Sequence, residues 1–243
     1  MTRGMYAAAG GMLCGMRAGD VFANNLANAS TTGYRADRVS FGSFQRVLLP
    51  SVKDGSGAIA QIAQSCTVNP VLLDMTQGSL QETGNDLDVA VEGKGFLVVA
   101  TAAGERYTRD GHLAVDTQGR LVNSHGLPVV SDGGGSIVVG NGKVTVQPSG
   151  EVFSNNQRVG KLRRVSLSDP ASAVKEGGNL LSGGNAVADN QSQVRQGMLE
   201  ASNADTMRTM VEMIQTLRLV EMNQRVIQAQ DSTLQQIIDV ARK

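Results

Sequence analysis

The sequence has no tryptophan and few other aromatic residues, which limits how its core can be built. Among 243 residues there are three Tyr and five Phe, so aliphatic and small side chains must supply most of the buried volume. Methionine and glycine, with ten and 29 copies, are plentiful. Methionine is flexible and suits helix surfaces that adapt to several neighbours.

Other absences exclude whole classes of protein. The formal net charge is zero, whereas nucleic-acid-binding proteins usually carry a basic patch or stripe. Cys14 and Cys66 are too few for a disulfide framework and fit no metal motif, so we interpret both as buried or partly buried thiols. No apolar run of about 18 residues predicts a membrane span. The N-terminus lacks the continuous apolar core of a secretory signal, which by itself favours a cytoplasmic protein.

A heptad pattern occupies the N-terminal end of the chain, up to about residue 28. Small or apolar residues recur at spacings of four and three, as in the seam of a paired helix. These positions are Met1, Met5, Ala8, Met12, Gly15, Gly19, Phe22 and Leu26. The two glycines weaken the helix but allow another backbone to approach closely. The Ser30-Thr31-Thr32-Gly33 stretch then ends it.

A second heptad pattern runs from about residue 204 to the C-terminus. Its positions are Met210, Met213, Leu217, Val220, Gln224, Ile227, Asp231, Leu234 and Ile238. No glycine or proline interrupts this segment, so we predict a helix of about 35 residues and about 50 Å. Further apolar residues widen the stripe, which predicts more than one partner surface. We therefore expect the terminal helices to pair as a coiled coil and then to bundle between subunits.

The middle of the chain is rich in predicted β-strands. Short alternating runs separated by turn residues predict a central antiparallel all-β domain, either a sandwich or a barrel. The predicted strands are 87–91, 96–100, 106–109, 113–116, 120–123, 137–139, 144–147, 151–154 and 162–168. The predicted fold class is mixed α and β. Its segments are an N-terminal helix (1–35), an extended linker region (36–80), a central β-domain (81–195) and a C-terminal helix (196–243).

The two histidines give little support for catalysis. Ser124, His125 and Asp132 could be combined into a Ser–His–Asp arrangement, but no nucleophile elbow accompanies them. We therefore interpret His112 and His125 as exposed loop residues. We predict no catalytic residue, no bound cofactor and no metal site.

Two other patterns have plain structural interpretations. Asp86 and Asp88 point to one face of a predicted strand, where such a pair more often caps the preceding turn than acts as acid and base. The Gly93-Lys94-Gly95 stretch lacks the third glycine and the following helix of a dinucleotide-binding loop. It predicts a tight hairpin turn instead.

Four stretches together resemble a known family. Residues 24–35, Asn-Asn-Leu-Ala-Asn-Ala-Ser-Thr-Thr-Gly-Tyr-Arg, resemble the N-terminal signature of the bacterial flagellar axial proteins, the rod, hook and hook-junction family. Three more stretches follow in the order of that family: 76–80 with 85–96 at its β-domain entry, 107–111 with 119–122 at its next hairpins, and 196–203 with 210–214 at its C-terminal helix.

The resemblance implies a structural subunit that polymerises into the rod of the flagellar basal body, transmitting torque and enclosing the export channel. The terminal helices would line the inner tube and the β-domain would lie outside it. The implied partners are other copies of the chain, other flagellar rod and hook proteins, and the flagellar export apparatus. Nucleic acid, membrane insertion and a small-molecule substrate are not implied.

The resemblance also replaces the cytoplasmic interpretation. It implies an extracytoplasmic location in the basal body, after export without a cleaved signal peptide. The chain is short for a hook protein, so a rod protein of the proximal or distal class is favoured and a hook-type axial protein is the alternative. Which rod class applies stays open, because the β-domain entry suits both.

We expect the subunit interface to use the helix seams and the signature stretch. Its predicted residues are Met5, Met12, Phe22, Asn24, Asn25, Leu26, Asn28, Gly33, Met210, Met213, Leu217, Val220, Ile227, Leu234 and Ile238. The three asparagines lie within about a turn of each other, where they would bond backbone or neighbouring subunits or simply cap the helix. Gly33 would hold a turn that other residues resist.

Two other functions compete with the rod subunit. A secreted ligand-binding β-protein trimerised by its helices would need a lined pocket, and the sequence has few aromatic residues to line one. A peptidoglycan-cutting hydrolase would need an additional catalytic segment, and the sequence pattern contains no such segment.

Overall fold

The computed structural model describes residues 2–43, 46–50, 58–63, 66–68, 71–140 and 142–242. The chain forms two compact units. Unit 1 contains Met1–Leu26, Asp37–Leu72 and Asp205–Lys243, and unit 2 contains Ala27–Ala36 and Leu73–Ala204. The backbone therefore crosses between the units four times, at 26/27, 36/37, 72/73 and 204/205.

Two long helices occupy the ends of the chain, as the heptad patterns predict. Helix α1 spans Thr2–Ala27 and helix α2 spans Thr206–Ala241. Asp205 caps α2, because its carboxylate accepts a hydrogen bond from the backbone N–H of Arg208 at 3.1 Å. After α1 the chain turns through Gly33, whose φ of +66° is in the region that favours glycine.

Helices α1 and α2 contact each other along a face of small and polar residues. Gly4 faces Gln230, Gly11 faces Asn223 and Gly15 faces Val220, so rising numbers on α1 meet falling numbers on α2. The pairing is therefore antiparallel. A Cβ atom at Gly15 would lie only 2.7 Å from Val220 Cγ2, which shows that the glycine allows this close approach.

The contact face differs from the predicted seam at every second position. The less exposed positions of α2 include Thr209, Met213, Thr216, Val220, Asn223, Ile227, Gln230 and Leu234. The expected seam positions Met210, Leu217 and Ile238 are instead exposed. The prediction therefore agrees with the structure at Met213, Val220, Ile227 and Leu234 and differs at the alternate positions, where threonine and amide side chains are less exposed than the expected seam residues.

Six short strands lie between α1 and the main β-region. They are β1 (Asp37–Arg38), β2 (Phe41–Ser43), β3 (Arg46–Pro50), β4 (Ala58–Ala63), β5 (Cys66–Val68) and β6 (Leu72–Leu73). Strand β2 pairs with β5 and β3 with β4, both antiparallel. This segment was predicted to be an extended linker with a few strands; residues 44–45, 51–57, 64–65 and 69–70 of it lie outside the described chain.

The remaining strands build unit 2. They are β7 (Leu80–Glu82), β8 (Val89–Glu92), β9 (Phe96–Thr101), β10 (Gly104–Thr108), β11 (Leu113–Val115), β12 (Leu121–Asn123), β13 (Val144–Val146), β14 (Glu151–Ser154), β15 (Gln157–Lys161), β16 (Arg164–Leu167), β17 (Val174–Lys175), β18 (Leu181–Ser182), β19 (Ala186–Ala188), β20 (Gln193–Gln196) and β21 (Met198–Glu200). A short 3₁₀ helix covers Pro170–Ser172.

Unit 2 is antiparallel throughout its described pairings, as the sequence predicts. Its largest sheet has the order β17-β18-β10-β9-β16-β19. A three-stranded sheet has the order β13-β14-β15, and β11–β12, β8–β20 and β7–β21 form pairs. The last two pairs join strands near the start of unit 2 to strands near its end, so the unit is closed by both of its chain ends.

Strand β9 is at the centre of the core. Its side chains alternate between two apolar clusters: Phe96 and Val98 belong to one, and Leu97 and Val99 belong to the other. Valine is the commonest residue in both clusters. Aliphatic side chains therefore supply most of the core, as the composition requires, with Phe96 as a buried aromatic member.

Three local expectations for the β-region need correction. The turn at Gly93-Lys94-Gly95 is not a hairpin, since β8 pairs with β20 while β9 pairs with β10 and β16. Residues 137–139 contribute isolated bridges instead of a continuous strand. Strands β7, β15, β20 and β21 were not predicted, and β21 lies within 196–243, the segment expected to form the C-terminal helix.

Cys14 is buried, as expected, whereas the side chain of Cys66 lies outside the described part of the structure.

Candidate functional site

The candidate site is a polar group in unit 2, which we call the junction cluster: Arg35, Arg109 and Glu200, which are buried, and Asn203, which is half-buried. These residues come from distant parts of the chain. Arg35 lies in the segment that follows α1, and Arg109 directly follows β10. Glu200 ends β21, and Asn203 lies just before α2. Arg35, Glu200 and Asn203 thus lie within five residues of a crossing between the two units, whereas Arg109 comes from the middle of unit 2.

One carboxylate binds two guanidinium groups inside the cluster. Glu200 Oε1 lies 2.8 Å from Arg35 Nη1, and Glu200 Oε2 lies 2.9 Å from Arg109 Nη1. The side chains of Arg35 and Glu200 are 2% and 0% exposed. The backbone N–H of Gly78 also donates to Glu200 Oε1 at 2.9 Å. Such a buried set holds together only because each carboxylate oxygen is paired.

The guanidinium group of Arg109 has partners in addition to Glu200. Arg109 donates to the carbonyl oxygens of Val91 and Gly93, and its Cζ lies 4.7 Å from the centroid of the Phe96 ring. Burial lowers the pKa of Arg109 to about 10, although the charge of Glu200 acts to raise it. Burial likewise lowers the pKa of Arg35. Both guanidinium groups remain protonated near neutral pH, so Glu200 is essential to their pairing.

Asn203 adds a set of hydrogen bonds to the backbone. Its Nδ2 donates to the carbonyls of Asp74 and Thr76, both at 2.9 Å, and its Oδ1 accepts from the N–H of Ala36 at 2.6 Å. Its own backbone N–H donates to the Tyr34 carbonyl at 3.3 Å. One side chain thus connects three separate segments of unit 2.

The segment 27–36, which we call the strap, is fastened along its length. The backbone N–H of Gly33 donates to the Glu200 carbonyl at 2.7 Å, and Thr32 Oγ1 donates to Asp110 at 3.1 Å. A Cβ atom at Gly33 would overlap the backbone of Arg109. Gly33 therefore holds the turn expected of it and also allows the strap to lie against unit 2.

The signature asparagines have different surroundings. Asn25 is buried, and its amide both donates to and accepts from the backbone of Asp37, at 2.8 and 2.9 Å. Asn28 accepts from Thr31 in the turn that follows α1. Asn24 is exposed. Asn25 thus bonds backbone within its own chain and Asn28 binds a side chain of the following turn; contacts of these residues with neighbouring subunits stay a prediction.

The remaining predicted interface residues lie along α1 and α2. Those that are half-buried are Met5, Met12, Phe22, Leu26, Met213, Val220, Ile227 and Leu234. Those that are exposed are Met210, Leu217 and Ile238. Exposure of large apolar side chains is unusually frequent here: among the described residues, eleven such side chains lie on α2 and three on α1.

The serine and histidine of the β-region do not form a catalytic arrangement. Ser124 Oγ donates to Asp110 Oδ2 at 2.5 Å and lies 3.1 Å from His125 Nδ1. Because the hydroxyl proton already binds a carboxylate, the imidazole can only donate to Ser124 and cannot act as its base. Asp132 instead lies 3.6 Å from Lys161 Nζ. Both histidines are exposed, as predicted.

The two aspartates near β8 also have structural surroundings. Asp88 is buried and accepts from Thr83 Oγ1 at 2.7 Å and Asn85 Nδ2 at 3.1 Å, with His112 Nδ1 at 2.8 Å. Asp86 is exposed, so the two carboxylates do not share a face. The expectation that Asp88 caps backbone groups was wrong, because these partners of its carboxylate are side chains.

The described surface offers little else for binding chemistry. Two depressions of about 300 and 430 Å³ lie on unit 2, and neither is lined by a histidine, a cysteine or an aromatic residue. Within the described residues, no group of three or more His, Cys, Asp and Glu could hold a metal ion. No helix in the described part of the chain is both long and apolar enough to cross a membrane.

Sequence reasoning included all four members of the junction cluster, but only as parts of family-like stretches. Nothing in the spacing of Arg35, Arg109, Glu200 and Asn203 predicts that they meet, because more than 160 residues separate Arg35 from Glu200. One signal was available: each lies in one of the stretches that resemble the flagellar axial family.

Comparison with known proteins finds family matches in three separate regions of the chain. The profile of the flagella basal body rod protein family matches residues 5–35. The flagellar hook protein FlgE/F/G D1 domain matches residues 90–154, and the C-terminal region of the flagellar basal body rod FlgEFG proteins matches residues 195–240. The matched regions include the strap, the centre of unit 2 and α2.

Complete proteins agree with these matches. The flagellar basal-body rod protein FlgF of Caulobacter vibrioides is 36% identical over 207 residues, which cover 83% of this chain and 82% of the relative. FlgF of Salmonella typhimurium is 31% identical, over 95% of both chains. The rod protein FlgG of Bacillus subtilis is 29% identical, over 100% of both.

Fold and site together define a structural subunit: a closed β-unit, two long helices with exposed apolar side chains, and a junction cluster whose polar groups bind other parts of the chain. The chain belongs to the family of flagellar basal-body rod proteins, and its function is that of a structural rod subunit. A hook-type axial protein is the less supported alternative, since the relatives named above are rod proteins.

Proposed function

We propose that this subunit polymerises through the exposed faces of α1 and α2 into the flagellar rod, where it transmits torque and encloses the export channel. The observation that supports self-assembly is the apolar surface of α2. Met207, Met210, Ile214 and Leu217 recur at spacings of three and four, and all are exposed. Contiguous apolar surface of this kind marks a site of protein association.

In this proposal the partners are copies of the same chain together with other rod and hook proteins. The subunit reaches its extracytoplasmic position through the flagellar export apparatus. The helices pair as a coiled coil within each subunit, which leaves the predicted interface residues Met210, Leu217 and Ile238 for contacts between subunits. The contact of Gly4, Gly11 and Gly15 with α2 supports this pairing.

A charge substitution on the exposed face tests assembly. Leu217, 54% exposed, is changed to Asp in the source bacterium, and the control is Gln215→Asp on the same helix. We expect Leu217→Asp to abolish rods in isolated basal bodies and to stop swimming, while hydrogen exchange of β9 in the purified protein is unchanged. The Gln215→Asp control should assemble. Normal rods and swimming with Leu217→Asp would contradict the proposal.

A second variant separates the two faces of α2. Ile227 is half-buried on the α1 contact face, so Ile227→Asp should reduce helix content in the monomer as well as assembly. Leu217→Asp should leave monomer helix content unchanged. Equal loss of monomer helix content in both variants would show that the two faces are not distinct.

A further inference from the structure

The covalent path between the two units has only four links. The chain crosses at 26/27, 36/37, 72/73 and 204/205. A load carried by the backbone of unit 1 enters unit 2 at these links. Whether the links act together depends on how the adjoining segments are joined inside unit 2.

Three of the four segments are joined by one amide side chain. Asn203, one residue before the end of unit 2, holds the N–H of Ala36 at 2.6 Å and the carbonyls of Asp74 and Thr76 at 2.9 Å. Ala36 is the last residue before the second crossing, and Asp74 lies just after the third. The backbone N–H of Asp74 also donates to the Ala36 carbonyl at 2.8 Å.

Glu200 and Arg35 form a second set of bonds between these segments. Glu200 binds Arg35 at 2.8 Å through its side chain and Gly33 at 2.7 Å through its backbone carbonyl. Arg35 also donates to the Thr76 carbonyl, and Glu200 accepts from Gly78. The side chains of Arg35 and Glu200 are buried, so water does not compete for the bond between them while the unit stays closed.

We propose that Asn203, supported by the Glu200–Arg35 pair, is a mechanical latch that makes three crossings of the subunit bear load together. This deepens the proposed function and rests on it, since only a subunit that transmits torque needs such a latch. The strap enters unit 2 at residue 27 and the chain leaves at residue 204. The bonds of Asn203 and Glu200 to the strap lie directly between these two points, so they must break before a pull on the two ends can open unit 2.

The first test pulls the full chain by its two ends in a single-molecule instrument. The variant is Asn203→Ala, and the control is Asn123→Ala. Asn123 is a buried asparagine of unit 2 whose side chain also binds backbone, accepting from His125 at 3.0 Å and Leu127 at 2.9 Å, but away from the crossings. Forced unfolding reports the unfolding barrier, so the latch predicts at least a tenfold faster rupture for Asn203→Ala and less than a threefold change for Asn123→Ala. Equal rupture rates for the two variants would overturn the proposal.

The second test measures swimming speed at low and high medium viscosity, with each variant replacing the native protein. We expect Asn203→Ala cells to build rods and to swim normally in dilute medium, then to lose most of their speed at high viscosity. Asn123→Ala cells should show the wild-type ratio of the two speeds. If both variants show that ratio, Asn203 is not a latch.

A more conservative variant covers the case in which Asn203→Ala does not fold. Arg35→Lys keeps the positive charge beside Glu200 but loses the planar group that binds Glu200 and Thr76 together. It should give an intermediate rupture rate and an intermediate loss of speed under load. Wild-type values would overturn the proposal. Rod assembly by the unmodified chain is scored separately, so a failure of the proposed function is distinguishable from a failure of the latch.

Discussion

Large apolar side chains are mostly buried in unit 2, whereas many are exposed on helix α2. Unit 2 encloses its valines and leucines on both sides of β9, where Leu97 is 1% exposed. Along α2 the most enclosed positions are small or polar, such as Thr209 and Asn223, while Leu217 and Ile214 are open. A β-unit that closes on itself can fold without a partner, whereas the helix lacks a neighbour for its most apolar surface. The exposed apolar face of α2 is the surface through which the proposed assembly would occur.

The largest predicted difference is between a buried ion pair and an exposed ion pair, both in unit 2, when each loses its carboxylate charge. Glu200→Gln leaves two buried guanidinium groups without a carboxylate and should destabilise unit 2 by about 3–5 kcal/mol. Glu92→Gln removes the exposed partner of Arg195, 2.8 Å away, and should cost under about 1 kcal/mol. Urea unfolding followed by hydrogen exchange of β9 measures both. Equal effects would show that the junction cluster does not hold unit 2 closed.

Truncating a leucine in each region tests where burial stabilises the monomer. Leu97→Ala in β9 should cost about 2–5 kcal/mol, because it removes buried contacts and leaves a cavity. Leu217→Ala on α2 should change monomer stability by less than about 0.5 kcal/mol. Thermal unfolding of dilute protein gives both values. A large loss with Leu217→Ala would mean that this side chain is already packed within the monomer.

A smaller effect is expected where α1 ends. Asn25→Ala removes two hydrogen bonds to the backbone of Asp37 and should destabilise that contact by about 1–3 kcal/mol. The amide of Asp37 should then exchange faster, while exchange in β9 is unchanged. Asp20→Ala, at an exposed position of the same helix, is the control and should leave the Asp37 amide unaffected. Faster exchange throughout unit 2 would contradict a local role for Asn25.

The smallest predicted effects are opposite in sign. Gly19→Ala meets no atom within 4 Å and should stabilise α1 by about 1 kcal/mol, since alanine favours helix. Gly15→Ala gains the same propensity, but its Cβ would lie 2.7 Å from Val220 Cγ2 and push the helices apart. Circular dichroism at 222 nm should therefore show more helix for the first variant only. Adding Val220→Ala to Gly15→Ala should raise the helix content to that of Gly19→Ala. If the helix content does not rise, the contact between Gly15 and Val220 is not what pairs the helices.

The sequence predicts local structure and family here better than it predicts packing. Both long helices and eight of the strands β7–β21 follow from periodicity and turn residues, because these signals depend on near neighbours. The pairing face of α2 follows only in part, because polar residues such as Thr216 and Asn223 are less exposed than the expected Leu217 and Gln224. The junction cluster is also beyond such reasoning, since Arg35 and Glu200 meet only after the whole β-unit between them has folded.

The most direct test of the account is a cryo-electron microscopy reconstruction of the polymer formed by the full chain at high concentration. The account predicts a helical tube in which Met210 and Leu217 are buried against a neighbouring subunit while the valine core of unit 2 is unchanged. A polymer in which both side chains stay open to solvent, with subunits joined through unit 2 alone, would contradict it.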